Sequence, residues 1–135
     1  MKPMLKALNI LVAFAIASAV TACQYQEPEL FVEEWTLAGK TVSPETLNRG
    51  QEQYMLYCYA CHGENGDGRG PASKGLRPPP RDFRTVSFKF AKTLDGLPHD
   101  EDLKHIVRGG LGGTAMLPWD IPDTTLDDII QYIKT

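Results

Sequence analysis

The residue types able to do chemistry are concentrated in one stretch, Cys58-Tyr59-Ala60-Cys61-His62. Two thiols three residues apart, followed at once by an imidazole, form the attachment pattern for a c-type haem: each thiol adds across one vinyl group and the imidazole ligates the iron. At the end of a helix, Cys58 and Cys61 stand one turn apart and Cys58 and His62 at i,i+4, so all three side chains leave one face. One short segment of this kind fixes a porphyrin in position and in tilt. The same residues could be half of a zinc site, but that needs a second set of ligands, and the only other cysteine is Cys23. They could be a redox dithiol, but that motif sits in a βαβ context, whereas the surroundings here are helical and rich in Gly and Pro. The expected cofactor is one covalently bound haem c.

The elements that must position this segment lie on both sides of it. Ser43-Pro44-Glu45 reads as a helix start, with Ser as the cap, Pro at the first helical position and an acid in the first turn. The helix predicted from there runs to about Tyr59 and delivers the motif at its end. Gly50, Tyr54 and Cys58 recur at i,i+4 and share a stripe. A glycine inside a helix costs about 1 kcal/mol relative to alanine, a cost usually accepted where another backbone must come close. Asp100 is placed to cap a helix over 101–108, ended by Gly109-Gly110, with Leu103, Ile106 and Val107 as its apolar face. Thr124-Thr125 open a last helix, 126–134, with Leu126, Ile129, Ile130 and Ile133 inward.

In this pattern the chain resembles the class I cytochromes c over residues 43–134. That family's first helix carries a Gly and an aromatic one turn later, ahead of the CxxCH, and crosses the last helix through that Gly. Gly50, Tyr54, Cys58, Cys61 and His62 match in place, and Tyr132 stands where the family has an aromatic partner for Tyr54. The resemblance implies an all-α class I cytochrome c fold, with three to four helices and long loops wrapped around one haem. It also implies electron transfer, His62 being the proximal ligand. Asp67-Gly68 followed by Gly70-Pro71 is similar to the family's turn in which a proline carbonyl accepts the Nδ1–H of the proximal His, which assigns Pro71 as support to His62. Gly112-Gly113-Thr114-Ala115-Met116-Leu117-Pro118 is similar to the distal Met loop, which assigns Met116 as the sixth ligand. Met55 sits one turn before Cys58 and cannot reach the far face of a porphyrin. His99, at a helix entrance, and His105, beside an apolar helix face, are the competing distal ligands. If none of the three bound iron, the open position would suit a peroxidase or gas sensor.

Residues 63–98 read as a long loop, since Gly63, Gly66, Gly68, Gly70, Gly75 and Pro71, Pro78, Pro79, Pro80 exclude regular structure across most of it. Around a haem such a loop is expected, because the chain packs on the porphyrin edge. Arg69, Lys74, Arg77, Arg81, Arg84, Lys89 and Lys92 stand here against Asp82 alone. They are either solvated side chains, some neutralising haem propionates, or a patch that steers an acidic partner.

Residues 1–22 carry Lys2 and Lys6, an apolar run from Ala7 to Val20 and small residues before Cys23, the pattern of a secretory signal peptide. Val20-Thr21-Ala22-Cys23 resembles a bacterial lipobox, in which the Cys is lipidated. The domain order read from the sequence is therefore a lipoprotein signal over 1–22, a lipid-anchored acidic tether over 23–42 and a cytochrome c domain over 43–135. The tether carries Phe31 and Trp35, which dock on the domain or on a partner. The protein is expected to be exported and anchored to a bacterial membrane surface, facing the periplasm or the cell exterior. The formal net charge of −3 becomes more negative once Lys2 and Lys6 are removed, which argues against nucleic acid as a partner. The partners expected are a redox donor and acceptor, or a larger respiratory or dehydrogenase complex holding the chain as a fixed haem subunit.

Overall fold

The computed structural model describes residues 28–85 and 91–135; the signal peptide, Cys23 and Lys89 lie outside the described residues. Four helices carry the fold: α1 (Pro44–Tyr57), the single turn α2 (Tyr59–His62), α3 (Asp100–Gly109) and α4 (Asp123–Ile133). Two small antiparallel hairpins accompany them, β1 (Trp35–Leu37) with β2 (Lys40–Val42) and β3 (Thr93–Leu94) with β4 (Leu97–Pro98). The architecture is mostly helical with little sheet, as the resemblance implies.

α1 begins where its sequence says it should. The Ser43 hydroxyl accepts the Thr46 N–H at 3.3 Å, and Pro44 fills a position where no amide is needed. The starts of the other two long helices differ from expectation. α3 is preceded by His99 and has no side-chain cap, because the Asp100 carboxylate is drawn away to the Lys134 ammonium and to Gln131 Nε2. α4 starts at Asp123, ahead of the two threonines, behind Pro122, again without a side-chain cap.

α1 and α4 cross through Gly50. A Cβ on that residue would lie 2.2 Å from the Asp128 carbonyl oxygen and 2.9 Å from the Tyr132 Cβ, so the two backbones touch there. Tyr54 and Tyr132 pack beside the crossing with ring centroids 5.2 Å apart. Arg49 closes its rim with two hydrogen bonds to the Asp128 carboxylate, at 2.7 and 3.2 Å. On one side lies the main core of Leu103, Ile121, Leu126, Ile129 and Ile130; full burial of such a side chain is worth about 1.5–3 kcal/mol. On the other, Leu37 and Val42 of the first hairpin close on Leu47, with Phe31 and Leu97 against them.

The segment read as a tether is thus attached well before residue 43. Phe31 and Asn48 exchange two hydrogen bonds, at 2.8 and 3.0 Å, and the Phe31 ring meets Trp35 and Tyr132 edge-on. Phe31 docks on the domain, while Trp35 stays 41% exposed beside it.

Candidate functional site

The CxxCH segment does not simply continue α1. Cys58 breaks the helix, with φ −115° and ψ −33°, and the chain turns into α2. The helical hydrogen bonds nevertheless carry on, His62 N–H to the Cys58 carbonyl at 3.0 Å and Gly63 N–H to that of Tyr59 at 2.9 Å. The one-turn spacing of Cys58, Cys61 and His62 is kept, and the bend re-aims the second half of the motif.

Cys58 and Cys61 are half-buried and not bridged to each other. Burial, with Cys61 alongside, pushes the Cys58 thiol up to about 12, which leaves it protonated and a poor nucleophile at neutral pH. That is unlike a reactive dithiol. Among the described residues no three His, Cys, Asp or Glu side chains gather as a metal-binding cluster, so the zinc reading finds no partners; His99 and His105 are both exposed.

The His62 ring is held from one side. Its Nδ1 lies 3.2 Å from the Arg81 carbonyl oxygen. A carbonyl can only accept, so the proton sits on Nδ1 and Nε2 keeps its lone pair as a donor for a metal. Burial lowers the His62 pKa, against the opposing pull of the Arg81 carbonyl, and favours that neutral imidazole. Phe83 stacks on the ring at 4.4 Å and 16°.

This corrects the assignment of Pro71. The residues flanking Pro71 run along the backbone of α2: Gly70 N–H donates to the Cys61 carbonyl at 3.2 Å and Ala72 N–H to that of Ala60 at 2.7 Å. The carbonyl at the imidazole belongs instead to Arg81, delivered by the rigid run Pro78-Pro79-Pro80. Gly68 makes room for it, since a Cβ there would lie 2.6 Å from the Pro80 carbonyl oxygen. Arg81 and Phe83 are the neighbours of the imidazole that sequence reasoning missed, and three consecutive prolines, stiff enough to aim the next carbonyl, are the signal.

Tyr54 adds a second support. Its hydroxyl, buried, donates to the Gly63 carbonyl at 2.7 Å, and burial raises its pKa well above the ordinary value, so it stays a donor. The helix crossing is therefore bonded to the residue next to His62.

Met116 is half-buried in a loop pinned to the end of α3. Its N–H donates to the Thr114 hydroxyl at 3.0 Å, Thr114 donates in turn to the Leu111 carbonyl at 2.8 Å, and Leu111 N–H returns to the Met116 carbonyl at 2.8 Å. Beyond it Trp119 N–H reaches the Val107 carbonyl at 3.0 Å, and its ring meets Tyr57 edge-on. Half-buried Tyr57, Ile106 and Val107, with Cys58, surround the core on this side. The donor set fits a covalent haem: two unbridged thiols, one imidazole with its second nitrogen committed to a carbonyl, and apolar side chains only partly covered.

The family model described as cytochrome c oxidase, cbb3-type, subunit III matches residues 45–133. No curated protein matches the chain. Among solved structures, a chain of the reducing HAO-like protein complex of Kuenenia stuttgartiensis is similar, at 35% identity and a TM-score of 0.58, over 64% of this chain. The overlap is 40% of that chain's own length. The residues and the matches agree on a haem c-binding, electron-transferring domain, and the chain belongs to the family of cbb3-type cytochrome c oxidase subunit III, as a class I c-type cytochrome.

Proposed function

We propose that the protein is a membrane-anchored monohaem electron carrier. Cys58 and Cys61 attach the haem by thioether links, His62 Nε2 is the proximal ligand and Met116 the distal one, while Cys23 carries the lipid. The haem supplies the one-electron chemistry between Fe(II) and Fe(III). The polypeptide fixes the imidazole through Arg81 and Tyr54, excludes water with its apolar side chains, and fills the sixth position so that no substrate binds. The observation that carries this reading is the His62 imidazole with Nδ1 committed to the Arg81 carbonyl, beside two unbridged thiols.

An anchor at Cys23 would confine the domain near membrane-bound donors and acceptors and raise their effective concentration. The domain order that follows is signal 1–22, a short lipidated link, and a cytochrome domain that takes in the first hairpin.

The absorption spectrum tests the ligand set. A low-spin spectrum with a red sulfur-to-iron charge-transfer band is expected, lost in Met116→Ala. Survival of the band in that variant would remove the distal assignment. A high-spin ferric spectrum with fast CO binding to the ferrous form would favour an open-site peroxidase or sensor.

A second reading, a fixed haem subunit of a larger oxidoreductase, draws on the likeness to a chain of the HAO-like complex. Extraction in mild detergent separates the two, since a carrier leaves the membrane alone and a subunit co-migrates with its complex.

A further inference from the structure

Three large apolar side chains near the start of the described chain face solvent: Leu30 is 63% exposed, Val32 83% and Trp35 41%. Between and beside them stand Glu29, Glu33 and Glu34, all exposed and none in an ion pair among the described residues. The backbone beneath is fixed. Phe31 points inward between Trp35 and Tyr132 and is locked to Asn48 by its own N–H and carbonyl, Glu29 offers its carbonyl to Gln51, and β1 pairs with β2 from Trp35 to Leu37. A loose linker would lose ordering entropy on docking; this surface has already lost it.

We propose that this face is a docking site for a protein whose apolar patch is rimmed by lysine and arginine. Apolar anchors within a polar, charged rim are the anatomy of a specific protein interface, and three unpaired carboxylates around them select a basic rim. A membrane surface fits poorly, because segments that lie on anionic lipid present Lys and Arg around their apolar residues. The location matters too. The face rests on α1 at Asn48 and Gln51, whereas the haem motif begins at Cys58; seven residues of helix rise about 10 Å. A partner held here leaves the motif end of α1 uncovered, so holding and electron exchange can use different ends of one helix. That separation of roles rests on the electron-carrier reading; the docking itself does not.

The test places a photo-crosslinking amino acid at position 32 of the full chain in its native membranes, with a second chain labelled at exposed Lys74 as control. The expected result is one protein adduct at position 32 and not at 74, mapping to a segment containing Lys or Arg. Its yield should fall at least about fivefold in about 0.5 M salt and in the triple variant Glu29→Lys, Glu33→Lys, Glu34→Lys. An adduct to lipid, an adduct to a second copy of this chain, a yield insensitive to salt and charge reversal, or no adduct would each overturn the proposal. The visible spectrum of the same preparation reports the haem separately. A red protein without the adduct fails the docking face alone, and a colourless protein with it fails the haem reading alone.

Discussion

The helix crossing and the Met116 loop are held together in different ways. At the crossing, backbone meets backbone: Gly50 admits the Asp128 carbonyl, two tyrosine rings pack beside it, and apolar side chains of α3 and α4 close beneath. The Met116 loop is an arrangement of hydrogen bonds around Thr114, with Leu117 and Trp119 largely in solvent. The first is an interior that the polypeptide completes for itself. The second is a preshaped arm whose apolar side chains stay partly uncovered by the polypeptide, and the function proposed above sets a haem against it. Global stability should therefore reside at the crossing, and the loop should govern the proposed distal ligand alone.

Five substitutions break or sharpen that contrast. The largest effect is expected for Gly50→Ala. A helical alanine alone gains about 1 kcal/mol, but a Cβ 2.2 Å from a backbone oxygen costs about 3 kcal/mol in forced separation, for a net loss of about 2 kcal/mol by chemical denaturation. Gly109→Ala, with nothing within 4 Å of the added Cβ, is the control and should lose nothing. Equal losses at both sites would deny the crossing its special status.

Tyr54→Phe keeps the ring and removes the shorter of two hydrogen bonds to the Gly63 carbonyl, leaving that from Gly66 N–H at 3.3 Å, at a cost of about 1 kcal/mol. Because Gly63 follows His62, the variant should also shift the reduction potential, which a merely packed tyrosine would not. Thr114→Val removes the two hydroxyl hydrogen bonds of the Met116 turn and leaves its backbone ones. The expected outcome is a loss of under about 1 kcal/mol in global stability, together with a charge-transfer band that fades at a lower temperature than in the parent. An unchanged band would detach Thr114 from the ligand arm.

The smallest effect concerns pH. Burial alone would raise the Asp100 pKa, but the hydrogen bond and charge of Lys134, with Gln131 and Lys40, hold it below the ordinary carboxylate value. A depressed pKa contributes stability that is complete above the ordinary value and is lost as pH falls through the depressed one. Acid titration of unfolding should therefore show a decline in that window, flattened in Asp100→Asn.

The crossing was the more legible of the two regions. Ser43, Gly50 and the apolar faces of the last two helices are local signals that landed where their spacing put them, and Tyr132 packs on Tyr54 as the resemblance implies. What escaped the sequence depends on distant chain meeting chain. Pro71 stood in a turn of suitable composition, yet the imidazole is met by Arg81, because hydrogen bonds from Gly70 and Ala72 commit the earlier turn to the α2 backbone. Asp100 is a sound cap by composition, and a lysine near the far end of the chain claims its carboxylate. The bend at Cys58 escaped because it has no periodicity to read, whereas the docking of Phe31 is one of the two readings its sequence left open.

The hydroxyl of Tyr54 has one more implication. It fastens the helix crossing to the residue following His62, so, with His62 as the proposed iron ligand, a substitution that relaxes the packing would be transmitted to the metal's environment. In this chain thermal robustness and electron affinity cannot drift apart freely: sequence changes that cool the melting point at the crossing should also detune the redox couple, and screening for one trait would report on the other.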